Sequence, residues 1–145
     1  MRAASWLRSI GAGVLMLLAA SCAPAAGLND AATGRRLAAM RDRLGSGFLV
    51  EREGIFLIAG NLTPPVFERI RVQTIRLCAE AMWETYFQRK PDYPILICLF
   101  ADDASYRHWA KDLFADTEVS HFGYYRPGDH TLVMNIGTGT GTLVH

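Results

Sequence analysis

Four histidines, three cysteines and a few hydroxyl and carboxylate residues are the groups of this chain best suited to chemistry. His145 follows the uncharged stretch Thr142-Leu143-Val144, which reads as the first turn of a helix entered from Gly137-Thr138-Gly139-Thr140-Gly141. Taken by itself it reads as an ordinary histidine after three uncharged residues. His121 and His130 flank a hairpin and would approach across it, but no carboxylate stands at clear ligand spacing. His108 sits beside Trp109 and reads as a surface or packing residue. Asp102-Asp103 reads as a helix cap rather than a catalytic pair. Ser105 and Ser120 lack the Gly-x-Ser-x-Gly context of a nucleophile elbow. The Gly/Thr loop has neither the Lys-Ser/Thr ending of a phosphate loop nor dinucleotide spacing, and reads as a pliable entry to the next segment.

Cys22 belongs to the leader. Arg2 and Arg8 give a short positive region, and Ile10 to Ala20 is uncharged and almost wholly apolar. That run is too short to span a bilayer but fits the apolar part of a signal peptide. Ala19-Ala20-Ser21-Cys22 resembles the lipobox of bacterial lipoproteins, which implies lipid attachment at Cys22. The usual leucine three positions before the cysteine is Ala19 here, with Leu18 one step earlier, so ordinary cleavage after Ala23 or Ala25 is the rival. Either reading places the protein outside the cytoplasm, in the cell envelope: membrane-anchored through its lipid, or periplasmic. Cys78 and Cys98 would then be in an oxidising compartment, as a disulfide or as two small buried hydrophobes within apolar runs.

The whole chain carries 15 basic and 14 acidic side chains, a net charge of +1. Losing the leader removes two arginines and no acid. The near-neutral remainder has no electrostatic footprint for nucleic acid. After a tether at 23–32, residues 33–145 suffice for one small domain.

The elements that must position these groups follow from pattern. Asp30 to Leu44 reads as a helix closed by Gly45. Phe48 to Ala59 reads as a hairpin turning at Glu53-Gly54. Thr63-Pro64 opens a long helix expected to run to about Arg89, with Thr63 as N-cap. Phe67, Ile70, Thr74, Leu77, Cys78, Ala81 and Thr85 recur on one face, and Val72, Ile75, Trp83 and Tyr86 on a second, so the helix is expected to pack between layers. Pro94 to Phe100 is an unbroken apolar run, the mark of a central strand. Asp102 to Ser105 caps a helix carrying Tyr106, Trp109 and Leu113. Residues 122–125 and Thr131 to Asn135 form a second hairpin, turning at Pro127-Gly128-Asp129; Tyr124, Tyr125 and Arg126 read as strand residues. The whole is expected to be α+β, a small mixed sheet with packed helices.

In the order of these elements and in Thr142-Leu143-Val144-His145, the chain resembles the first half of HExxH zinc metallopeptidases of the gluzincin, or peptidase-MA-like, kind. The resemblance implies zinc held by His145, by a second histidine one helical turn on and by a downstream carboxylate, with a glutamate next to the first histidine as general base. It also implies a substrate-binding edge strand, placed at Thr131 to Asn135, with Thr131, Val133 and Asn135 facing a peptide. Only His145 of the ligand set is in this sequence. The expectation is therefore a fragment of an exported peptidase, incomplete at its C-terminus and inactive as it stands, acting on peptide or protein substrates. The alternative is a non-enzymatic envelope lipoprotein serving as an interaction or assembly module.

Overall fold

The computed structural model describes residues 30–143; Cys22 and the leader, Val144 and His145 lie outside the described residues. The elements in chain order are α1 (Asp30–Leu44), β1 (Leu49–Glu53), β2 (Phe56–Gly60), α2 (Pro64–Arg69), a π-helical stretch (Ile70–Arg76), α3 (Leu77–Thr85), β3 (Ile95–Phe100), α4 (Asp103–Phe114), β4 (Gly123–Arg126) and β5 (Thr131–Asn135). Two 3-10 turns follow, Ile136–Thr138 and Gly141–Leu143.

The five strands make one mixed sheet in the order β1-β2-β3-β5-β4, so the fold is α+β. β2, β3 and β5 run parallel in the middle, and an antiparallel hairpin partner closes each side. β3 is central because its unbroken apolar run suits a strand covered on both faces. On one face Ile58, Ile97, Leu99 and Met134 pack with Phe67, Ile70 and Ile75 of the α2–α3 helix. On the other, Leu57, Cys98, Phe100 and Val133 pack with Tyr106 of α4, and Leu37 and Met40 of α1 join them. Alternation along a strand assigns neighbours such as Ile97 and Cys98 to opposite faces.

Local chemistry sets the element ends. α4 opens with a reciprocal capping box: Asp102 Oδ1 accepts the Ser105 N–H at 2.8 Å, while Ser105 Oγ approaches the Asp102 N–H at 3.4 Å. That backbone hydrogen bond holds the Asp102 carboxyl below the usual range. Pro64 and Pro65 start α2 without needing donors, and Thr63 stands at its N-cap without a side-chain capping bond. Tyr106 is fully buried, yet its hydroxyl donates to the Ser120 carbonyl at 2.7 Å, so its polar end is satisfied.

α1 spans Asp30–Leu44 as expected and buries Thr33. Three expectations are corrected. The long helix ends at Thr85 rather than Arg89, because Tyr86 leaves helical geometry at φ −118°. It is not buried on two sides: Leu77 is 55% exposed, since the sheet covers one flank only. Finally, Thr131 to Asn135 is not an edge, because β5 lies between β3 and β4 and pairs with both.

Candidate peptide-binding edge and apolar cavity

The free edge beside β5 is β4, paired on one side only among the described residues. The Asn135 N–H donates to the Phe122 carbonyl at 3.0 Å, which makes 122 and 135 a hydrogen-bonded pair. Antiparallel ladders alternate. Tyr124 and Arg126 therefore turn their backbone groups toward β5, and Gly123 and Tyr125 turn theirs outward. The edge thus offers two N–H and C=O sets in strand geometry, the template a further strand requires.

β4 is held tightly behind that edge. Tyr124 Oη donates to Asp116 Oδ2 at 2.6 Å, and the Arg126 guanidinium donates to the same oxygen. Arg126 Nε also reaches Asp129 Oδ2 at 3.1 Å, and its guanidinium lies over the Phe114 ring at 4.6 Å. The Tyr124 hydrogen bond, with Arg126 beside it, holds the Asp116 carboxyl below its ordinary range. Burial, aided by the Asp116 charge, raises the Tyr124 phenol. Gly123 has φ +147°, and a Cβ there would stand 2.6 Å from the Val133 carbonyl oxygen and 2.7 Å from Met134 Sδ. Only glycine lets β4 lie this close to β5.

Next to this edge is an apolar cavity of about 380 Å3. Ile95, Ile97 and Leu132 form its sheet side, and Cys78, Met82 and Trp83 its helix side. Tyr125 and Leu143 close the flank toward β4. Leu143 reaches it because the two 3-10 turns after β5 carry the chain back onto this face, where it packs against the Ile97–Met134 cluster.

The residues expected to face a peptide lie elsewhere. Thr131, Val133 and Asn135 are buried. Thr131 Oγ1 donates to the Asp129 carbonyl at 3.3 Å. Asn135 is a clamp: Nδ2 donates to the His121 carbonyl at 3.1 Å and to Asp103 Oδ1 at 3.3 Å, and Oδ1 accepts the Gly137 N–H at 3.1 Å. The polar letters of β5 thus tie the strand to its neighbours. β4 escaped the sequence reading as an edge because four residues, two of them tyrosines, carry no alternation that sets them apart from the next strand.

Among the described residues the histidines are not brought together as a metal site. His130 takes a left-handed backbone conformation, stacks on Tyr93 at 3.9 Å between ring centroids, and lies 3.3 Å from the Tyr125 hydroxyl. His121 stands 3.8 Å from Asp103 Oδ1, and His108 is exposed beside Trp109. Among the described residues no three His, Cys, Asp or Glu side chains gather where they could hold a metal, so those residues do not by themselves fit a zinc centre. Cys78 and Cys98 are both free. The sheet separates them: Cys78 lines the cavity, while Cys98 points to the opposite face, where burial pushes its thiol up to about 12. Among the described residues no helix is long and apolar enough to cross a membrane.

Fold and site together define an α+β domain in which, among the described residues, an antiparallel edge strand paired on one side lies beside an apolar cavity. Compared with protein-family models, with curated proteins and with solved structures, the chain matches none.

Proposed function

We propose that this chain is the substrate-binding part of an exported zinc-dependent peptidase, and that it takes an extended peptide along β4 by strand addition. The observation that carries the reading is the outward-facing backbone of Gly123 and Tyr125, on a strand locked from behind by Asp116 and Arg126. Main-chain hydrogen bonds to such an edge recognise any extended peptide, and neighbouring pockets add side-chain preference. His145 is the proposed zinc ligand, and no catalytic step is assigned to the described residues. On this reading the 145-residue chain binds peptide without cleaving it, and Cys22 carries the lipid that holds it at the envelope membrane.

Exposed Tyr86, Phe87, Tyr93 and Tyr125 favour a second reading, a non-enzymatic envelope lipoprotein that docks a partner protein.

The test is Tyr125→Pro against Tyr125→Ala. Proline at an outward-facing edge position removes the donor an added strand needs and leaves the ladder to β5 intact. Fluorescent extended peptides are expected to bind the wild type and Tyr125→Ala and to lose binding to Tyr125→Pro. Equal binding by all three would remove the strand-addition reading. Elemental analysis of the complete gene product separates the two functions: about one zinc per chain is expected for the peptidase, and a metal-free, proteolytically silent product would leave the docking module.

A further inference from the structure

The helix over Pro64–Thr85 is wound in a way its sequence does not require. Ile70–Arg76 is π-helical, with α-helix on either side. A π-turn amounts to one extra residue inserted in an α-helix, and such turns are frequent at functional sites. In an uninterrupted α-helix, residues five apart point about 140° away from each other. Here Ile70 and Ile75 are both buried against the sheet, and Arg71 and Arg76 both reach Glu53 on β1. Arg76 grips that carboxylate with Nε at 2.8 Å and Nη2 at 2.7 Å. Arg71 adds a bond to Glu53 while holding Glu68 with Nε at 2.9 Å and Nη2 at 2.7 Å. Only the wider turn lets two arginines at this spacing share one acceptor.

The sequence also encodes the other winding. With 3.6 residues per turn throughout, Phe67, Ile70, Thr74, Leu77 and Ala81 share a face. In the structure that face is broken after Thr74: Ile75, Cys78 and Met82 turn toward the sheet side, and Leu77 is left 55% exposed. Each residue beyond the π-turn occupies the place its predecessor would take in a plain α-helix. Cys78 stands where Leu77 would stand, and Met82 where Ala81 would.

We propose that this helix is a two-register element in which Glu53, by gripping Arg71 and Arg76, selects the π-wound register and thereby sets the wall of the apolar cavity. In the α-wound register the segment Leu77–Thr85 is rotated by one residue. Leu77 then faces the sheet in place of Cys78 and Ala81 replaces Met82, which narrows the cavity at one end of its helix wall and opens it at the other. The α-wound register would set Thr74 in the place of buried Ile75 but would bury Leu77 in the place of Cys78, and it would give up the joint hold of Arg71 and Arg76 on Glu53, which weighs for the π-wound register. The inference does not depend on what the cavity binds.

The experiment reads register with thiol probes in the full chain with Cys78→Ser; the remaining described thiol, Cys98, is buried and unreactive. Leu77→Cys and Ala79→Cys are labelled with a maleimide, with and without Glu53→Gln. With Glu53 intact, position 77 is expected to label at least about tenfold faster than position 79; Glu53→Gln is expected to reverse that order. An unchanged order overturns the proposal. Fast labelling at both positions also overturns it, because that pattern marks unravelling rather than a register change. Arg76→Gln, at an exposed arginine, is expected to reproduce the reversal and serves if Glu53→Gln does not fold. Deletion of exposed Gln73 removes the extra residue, so Glu53→Gln in that background is expected to leave the labelling order unmoved. A reversal there would equally refute the mechanism.

Discussion

Replacing Asn135 by Asp tests whether this residue is a structural clamp rather than a peptide contact. The substitution keeps the size of the side chain and the acceptor for the Gly137 N–H. It replaces the amide that donates to the His121 carbonyl at 3.1 Å and to Asp103 Oδ1 at 3.3 Å with a second carboxylate oxygen. Asn135 is 1% exposed, so water does not compensate. One lost donor with its partner left unsatisfied costs about 1–3 kcal/mol, and a like charge beside Asp103 adds to it, giving about 2–4 kcal/mol near neutral pH. In linkage terms this raises the folded-state pKa of the new carboxyl above its unfolded value of about 3.9 by roughly two units. For an acid whose folded pKa is raised, the penalty is small below the unfolded pKa, grows between the two values, and is complete above the folded one. Urea unfolding of variant and wild type, each at pH 7 and at pH 4, reads this directly, since a slope of about 2 kcal/mol per molar urea turns the loss into a midpoint shift of about 1–2 M. The stability difference is expected to shrink by more than half at pH 4. A difference below about 0.5 kcal/mol at pH 7, or one that does not change with pH, would refute the clamp.

Gly123→Ala is expected to destabilise the protein by about 2–4 kcal/mol, through a strained backbone and a Cβ driven against Val133 and Met134; a midpoint within error of wild type in thermal unfolding would contradict it. Wild-type stability is expected to fall on acidification: the Glu53 carboxyl is lowered by its Arg76 hydrogen bond and Asp116 by Tyr124, so both contribute stability above their unfolded pKa values that is lost as pH falls through the lower folded ones. Urea midpoints that stay level from pH 6 to pH 3 would speak against that assignment. Cys22→Ala is expected to release the exported protein from the membrane fraction and abolish incorporation of a labelled fatty acid, and unchanged fractionation would remove the lipid anchor.

Much of the architecture was legible because single residues act locally. The run Pro94 to Phe100 announced a strand covered on both faces, and Asp102 with Ser105 announced the start of α4. Glu53-Gly54 marked one hairpin and Pro127-Gly128-Asp129 the other. What escaped depended on partners distant in sequence. Thr131 and Asn135 were placed on an edge strand by the resemblance to the peptidase order of elements, whereas here their partners are the Asp129 and His121 carbonyls, Gly137 and Asp103. The sequence 64–85 carries two apolar stripes. Choosing between them takes Glu53, a residue on another element, and periodicity along the helix has no access to it. The candidate edge was placed one strand away from its true position for the same reason, since pairing order is a property of the assembled sheet.

The arrangement of the sheet also bears on how the chain assembles. Its two hairpins close through short turns, but the seam between them pairs Phe56 with Ile95 and Leu96 with Thr131, residues far apart along the chain. Loop closure of that kind is slow, so β3 seats after the pieces on either side have formed. Until then the segment Ile95–Phe100 is prone to intermolecular association, being apolar, uncharged and rich in strand-forming residues. Pro94 on one side and Asp102-Asp103 on the other stand as gatekeepers at its ends, slowing aggregation during the interval in which the centre of the sheet is still open.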